Sequence, residues 1–238
     1  MLRHMRILSL LAAPAAILVA LAAKEPQLRL LAKISAGDLR TEAVPVRDFG
    51  SAAMPDAATT VHLGPLAFQV PTEAIAEDRP AAVIASFETN GLRVLVIEPT
   101  EQRDVATTDL DLSSLPASLA DDPAALPAAA YAANSDDISL LMSASQVESL
   151  RALLEAKTML CIPATRVEVV KGASLSGVVI IRERDDHVQI MLEYFSAART
   201  RQATGRDLSG VAYMIVDRDK PAAMDLARAI IGTFSIES

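Results

Sequence analysis

The residues able to do chemistry are few and stand apart. The chain holds three histidines and one cysteine. His4 falls in a basic, apolar leader, so His62 and His187 remain for the rest of the chain. They show no H-E-x-x-H, no paired-histidine spacing and no C-x-x-C, so zinc ligands would have to come from distant positions. His187 opens a strand beside Asp185 and Asp186, where a carboxylate can tune it. Its simplest reading is an exposed turn histidine, and His62 reads similarly. Cys161 closes an apolar helical stretch and reads as a buried thiol, with no second cysteine for an internal disulfide. Serines occur without G-x-S-x-G or S-x-x-K settings. Asp109-Leu110-Asp111-Leu112-Ser113 begins like a calcium loop, but Ser114 stands where glycine belongs and Ala120 where the bidentate glutamate belongs. Paired carboxylates for glycoside hydrolysis are set in space, and this chain lacks the aromatic platforms that hold sugars. No catalytic, metal-binding or cofactor-binding residue is singled out.

One charged group does stand out. Arg199, Arg201 and Arg206 gather between Ala198 and Leu208 in a chain of formal charge −8, with Arg182 and Arg184 nearby in sequence. A loop carried on a rigid sheet is a common place for binding residues, so these three are the candidate contacts for an acidic protein partner or lipid head groups. The simpler alternative is a solvated loop that keeps a sheet end soluble. Net acidity and the absence of tryptophan argue against a nucleic-acid partner, which needs a basic face or stacking surfaces.

The elements that must position these residues centre on Thr165–Asp217. It reads as consecutive strands, TRVEVVK, LSGVVIIRE, HVQIMLEYF and SGVAYMIVD, separated by turn residues. In the third, Val188, Ile190, Leu192 and Tyr194 share one face while His187, Gln189 and Glu193 share the other. The second and fourth are apolar on both faces, as covered central strands are. Upstream, Asn90-Gly91 lies between apolar runs and predicts a type I′ hairpin with strands at Ala81–Glu88 and Leu92–Ile97. Thr60–Val70 is extended, with a turn at Gly64-Pro65. Ser145 and Glu148 have capping-box spacing ahead of a helix with Val147, Leu150 and Leu154 on one stripe. Asp219 and Pro221 open a closing helix. The fold expected is α+β: a mainly antiparallel sheet packed with helices, forming a single domain over residues 60–238.

Residues 1–23 precede it as a hydrophobic helix. Arg3 and Arg6 come first, Ile7–Ala23 carries no charge, and Ala20-Leu21-Ala22 offers an A-x-A cleavage site, the layout of a signal peptide. The same run, about 17 residues long, is near the shortest that crosses a bilayer core of roughly 30 Å, so a membrane anchor is the competing reading. Either reading exports the remainder. Without the two arginines it carries 20 basic and 30 acidic residues, a net −10. Residues 24–59 read as a linker with a short helix ending near Gly37.

The order of elements resembles the α/β/α sandwich of the Mog1 and PsbP-like proteins. The similar features are Phe68-Gln69-Val70-Pro71 at a strand end, the early hairpin, and a last helix running into Ile231-Gly232-Thr233-Phe234-Ser235-Ile236. The tryptophan common after the first strand of that family is absent. The resemblance implies a non-enzymatic binding or assembly module and assigns no functional residue. The expectation is therefore an extracytoplasmic, non-catalytic binding domain of a bacterial-type envelope, periplasmic, secreted or anchored through Ile7–Ala23. The alternatives are a hydrolase with a site assembled from distant residues, or a structural subunit of a membrane complex.

Overall fold

The computed structural model describes residues 24–76, 84–101, 124–139, 141–160 and 163–237, with positions 115, 119 and 122. The leader, Cys161 and the Asp109–Ser113 stretch lie outside the described residues. In chain order the elements are α1 (Glu25–Ser35), β1 (Val46–Asp48), β2 (Ala58–Leu63), β3 (Leu66–Pro71), β4 (Ile75–Ala76), β5 (Ile84–Thr89), β6 (Leu92–Ile97) and β7 (Thr100–Glu101). Then follow α2 (Ala125–Ala132), α3 (Ala144–Leu160), β8 (Arg166–Lys171), β9 (Leu175–Glu183), β10 (His187–Ser196), α4 (Ala198–Thr204), β11 (Leu208–Asp217), α5 (Pro221–Gly232) and β12 (Ser235–Ile236).

The main sheet runs β1-β8-β9-β10-β11-β6-β5-β4, with β7 on the end of β11. Every pairing is antiparallel except β1 with β8 at one edge. The expected α+β class is the observed one. The β5–β6 hairpin turns on Asn90 at φ 45° and Gly91 at φ 83°, the two left-handed residues that a type I′ turn needs. A small sheet, β12-β3-β2, is hydrogen-bonded separately and packs on the main sheet.

The even-numbered residues of β10 face one layer. Ile190, Leu192 and Tyr194 sit with Val179 and Ile181 of β9 and Ala212 and Met214 of β11. Against them pack Leu66 and Phe68 of β3, Ala227 and Ile230 of α5, and Phe234. Phe234 stacks on Phe68 at 4.9 Å and meets Tyr194 edge-on at 5.8 Å. The opposite face has two different halves. Val167, Val178, Ile180 and Met191 lie under Ala130 and Tyr131 of α2 and Ala156 of α3. Toward β11 and β6 no helix lies on that face among the described residues.

Within residues 24–59, read as a linker with a short helix, α1 packs on α3 and β1 pairs with β8. Leu30 of α1 is fully buried among Val147, Leu150 and Leu154 of α3. Gln27 Nε2 donates to the Met142 carbonyl at 3.0 Å. Downstream, β1 is held to β8 on both sides: Val167 N–H donates to Pro45 O and Phe49 N–H to Val169 O, each at 2.9 Å. The buried Glu168 carboxylate then accepts from Arg228 of α5 at 2.5 Å, while Arg228 donates to Gly50 O at 2.8 Å.

Three local expectations change. The cap of α3 is Ser143 with Gln146, not Ser145 with Glu148: Ser143 N–H donates to Gln146 Oε1 at 2.8 Å and Gln146 N–H to Ser143 Oγ at 3.3 Å. Glutamine serves the reciprocal bond as well as glutamate does, so two boxes competed in one stretch. Lys220, not Asp219, occupies the cap position of α5, because Asp219 N–H is turned to the Asp217 carboxylate. The Ala198–Leu208 loop contains helix α4, closed by Gly205 at φ 67°.

Leu30→Ala should cost about 2–5 kcal/mol in urea denaturation, the range for an emptied core leucine site. A change within experimental error would mean that α1 is the tether expected from sequence.

Candidate functional site

Arg199 and Arg201 lie on α4 and Arg206 in the turn after it. Arg201 pairs with Asp207 at 3.6 Å, so part of its charge is used within the fold. Arg199 and Arg206 are exposed and no side-chain partner is recorded for either among the described residues. The structure therefore offers two outward guanidinium groups and one internal ion pair.

The histidines stay apart. Nδ1 of His62 on β2 is 3.4 Å from the Glu237 carboxylate at the surface. His187 lies 2.6 Å from Asp186, and its other ring nitrogen is 3.0 Å from the Gln189 amide. That contact holds the Asp186 carboxyl below the ordinary range, the bond to the imidazole being the main cause. No nucleophile lies against either ring in the recorded bonds. No cluster of three or more metal-ligating side chains occurs among the described residues.

Two features were not legible from sequence. The first is a cleft of about 460 Å3 between the α1–β1 connector, α2 and the end of α3, lined by Leu39, Thr41, Val44, Tyr131, Lys157 and Ala164. Lys157 is buried, and its ammonium donates to Glu42 O at 2.7 Å and to Ala133 O. Two of its three donors are thus spent on main-chain carbonyls, which makes it a clamp between three segments. Helical periodicity placed Lys157 in an amphipathic helix, but only the long-range contacts bury it.

The second is the uncovered half of the main sheet. Register places Met191, Tyr213 and Leu95 in one row across β10, β11 and β6, and Gln189, Ile215 and Arg93 in the next. Tyr213 is 44%, Ile215 42% and Leu95 36% exposed. One row to the other side lies Glu193, between Val178 and Val211. Glu193 is half-buried, and no hydrogen bond or ion pair is recorded for it. Burial alone pushes its carboxyl above the ordinary glutamate range. Alternation along β10 correctly put Glu193 opposite Tyr194. It did not reveal that the supposed solvent side is apolar.

A ladder-fixed surface exposes Leu95, Tyr213 and Ile215 beside Gln189 and Arg93, with the Glu193 carboxyl at its boundary. Compared with known proteins, the chain matches no family model and no curated sequence.

The folded protein holds the Glu193 proton more tightly than the unfolded chain does. Its contribution is therefore fully present below the ordinary glutamate range and lost as pH rises through the raised value. Glu193→Gln should be more stable than the parent at pH 7 by urea midpoint, with the gap closing at pH below the carboxylate range. A less stable variant at pH 7 would show that Glu193 is held by a favourable charge.

Proposed function

We propose that this chain is an exported, non-catalytic binding or assembly domain of a bacterial-type cell envelope, docking a protein partner on the open half of its main sheet. The observation that carries the reading is the cluster of Leu95 and Tyr213, paired across β6 and β11, with Ile215 in the adjacent row, exposed on the β-ladder and without a covering helix among the described residues. Contiguous exposed apolar surface on a rigid frame marks interaction sites, and tyrosine is among the residues that dominate binding energy there. Export is supported by the basic start, the uncharged run Ile7–Ala23 and the small-residue site at its end. The resemblance to Mog1 and PsbP-like proteins agrees with this reading, because it implies a binding module on a helix-packed sheet.

A second reading keeps Arg199, Arg201 and Arg206 as the contact for an acidic partner or lipid head groups. It is favoured by Arg199 and Arg206, which project outward with no recorded side-chain partner among the described residues.

Native mass spectrometry of the protein purified from envelope fractions tests both. Leu95→Asp with Tyr213→Asp should weaken a co-purifying protein partner at least about tenfold, as loss of two central contacts does. Retention by that variant, with loss on charge reversal of the three arginines, would move the partner to α4. A single-residue change that abolishes a turnover surviving purification would instead establish the hydrolase.

A further inference from the structure

The open half of the main sheet carries unpaired charges of opposite sign on either side of an apolar centre. Register sets three rows across it. The middle row is Met191, Tyr213 and Leu95. On one side lies the row of Arg182, Gln189 and Ile215, and on the other the row of Val178, Glu193 and Val211. Side chains on one face recur every second residue, so each outer row stands roughly 7 Å from the middle one. Arg182 and Glu193 are both half-buried, and neither side chain has a hydrogen bond or ion pair among the described residues. Within one chain their rows are about 14 Å apart along the strands, too far for the two to pair.

A cation and an anion set equally far from an apolar row make a surface that complements itself. A second copy can be turned over about a two-fold axis that runs along the middle row, across the strands. Tyr213 and Leu95 then meet their own counterparts. The outer rows exchange, so Glu193 of each copy comes over the Arg182–Gln189 row of the other, and Ile215 comes over Val211. The strands of the two sheets stay aligned, which is one of the two ways sheets pack face to face. A two-fold axis along the strands would instead set each charged row over its own copy and stack like charges. Only the first arrangement satisfies both groups, and it has the reciprocal contacts of an isologous interface.

Charge on the rest of the molecule limits where two copies can approach. Each chain carries a net −8, so copies repel at range. This face is locally neutral. Besides Arg182 and Glu193 it holds Arg93, which shares its charge with Glu88 at 3.5 Å on the exposed rim.

We infer that the partner on the open half of the sheet is a second copy of this chain, with Glu193 of each copy paired to Arg182 of the other. The inference rests on the docking reading above and names its partner. Pairing would also relieve the burial that raises the Glu193 carboxyl in a single chain.

Sedimentation equilibrium of the protein purified from envelope fractions, over a range of concentrations, should give the mass of two chains. Glu193→Lys and Arg182→Glu each place like charges at both pairing points and should weaken the dimer at least about tenfold. Mixed together, these two variants should form a heterodimer, because each new charge then faces its opposite on the other chain. One chain carrying both changes should dimerise with itself, which shows that neither change prevents folding. Tyr213→Asp, at an exposed position on the axis, should dissociate the dimer without touching either half-buried charge. A dimer that persists in Tyr213→Asp or in both single charge variants lies elsewhere and overturns the inference. Failure of the mixed variants to associate, with each folded by its far-ultraviolet spectrum, overturns it as well. A parent that remains one chain at every concentration overturns it and leaves the face to a different protein, whose loss from Leu95→Asp with Tyr213→Asp would uphold the docking reading.

Discussion

Two-sided burial of β9, β10 and β11 is the constraint on which the rest of the structure depends. These strands are paired over most of their length, so adjacent side chains must find cover on opposite faces. Tyr194 shows how tightly one side is closed. Its ring is fully buried, its hydroxyl donates to Ile97 O at 2.7 Å, and it lies over Gly210, where a Cβ would collide with the hydroxyl. Burial first, and the nearby Glu98 second, hold the phenol well above its ordinary range. A glycine is thus required at position 210 by an aromatic on the neighbouring strand.

Cover on the second face comes from residues far apart in sequence. Helices α2 and α3 lie over the β1–β8–β9 side, and α1 lies on α3 in turn. The strap around β1 is secured by the buried Glu168–Arg228 pair, with Arg166 Nε 3.3 Å from the same carboxylate. Breaking such a pair costs more than the pair itself contributes, since the remaining charge is left without water. Among the described residues the helical layer stops short of β11 and β6, and the exposed sheet face follows from that limit. Glu193 sits where cover ends, and Tyr213, Ile215 and Leu95 lie beyond it.

Local signals carried much of this fold. Asn90-Gly91 dictated its hairpin through positive φ, and the two-residue period of β10 identified the face that meets α5. Spacing likewise puts Ala223, Leu226, Ala227, Ile230 and Phe234 on one apolar stripe; the first four lie on α5 and Phe234 just beyond its end, all packed on the same core. What escaped depends on contacts between distant residues. Leu28, Leu30 and Leu31 look alike in sequence, yet only docking on α3 decides which one is buried. Spacing places Lys157 on a helix, and only the Glu42 and Ala133 carbonyls it reaches show that it is buried. Glu193 reads as outward-facing because alternation defines a side of the sheet without saying what lies above it. The arginines were located by composition, but the Arg201–Asp207 pair required the turn after α4. For Leu30, Lys157 and Glu193 the type of element was local information and its surroundings were not, whereas at Ala198–Leu208 the helix itself also escaped.

The functional account depends most on location. A domain with exposed Leu95, Tyr213 and Ile215 on its sheet and two outward arginines has reasons for both if it works at an envelope surface. The direct measurement is protease protection in intact spheroplasts of the native host, read by an antibody against the folded domain. Export predicts digestion by protease added outside, with a cytoplasmic marker left whole. Protection of the chain until the inner membrane is lysed would place the domain in the cytoplasm and contradict the account.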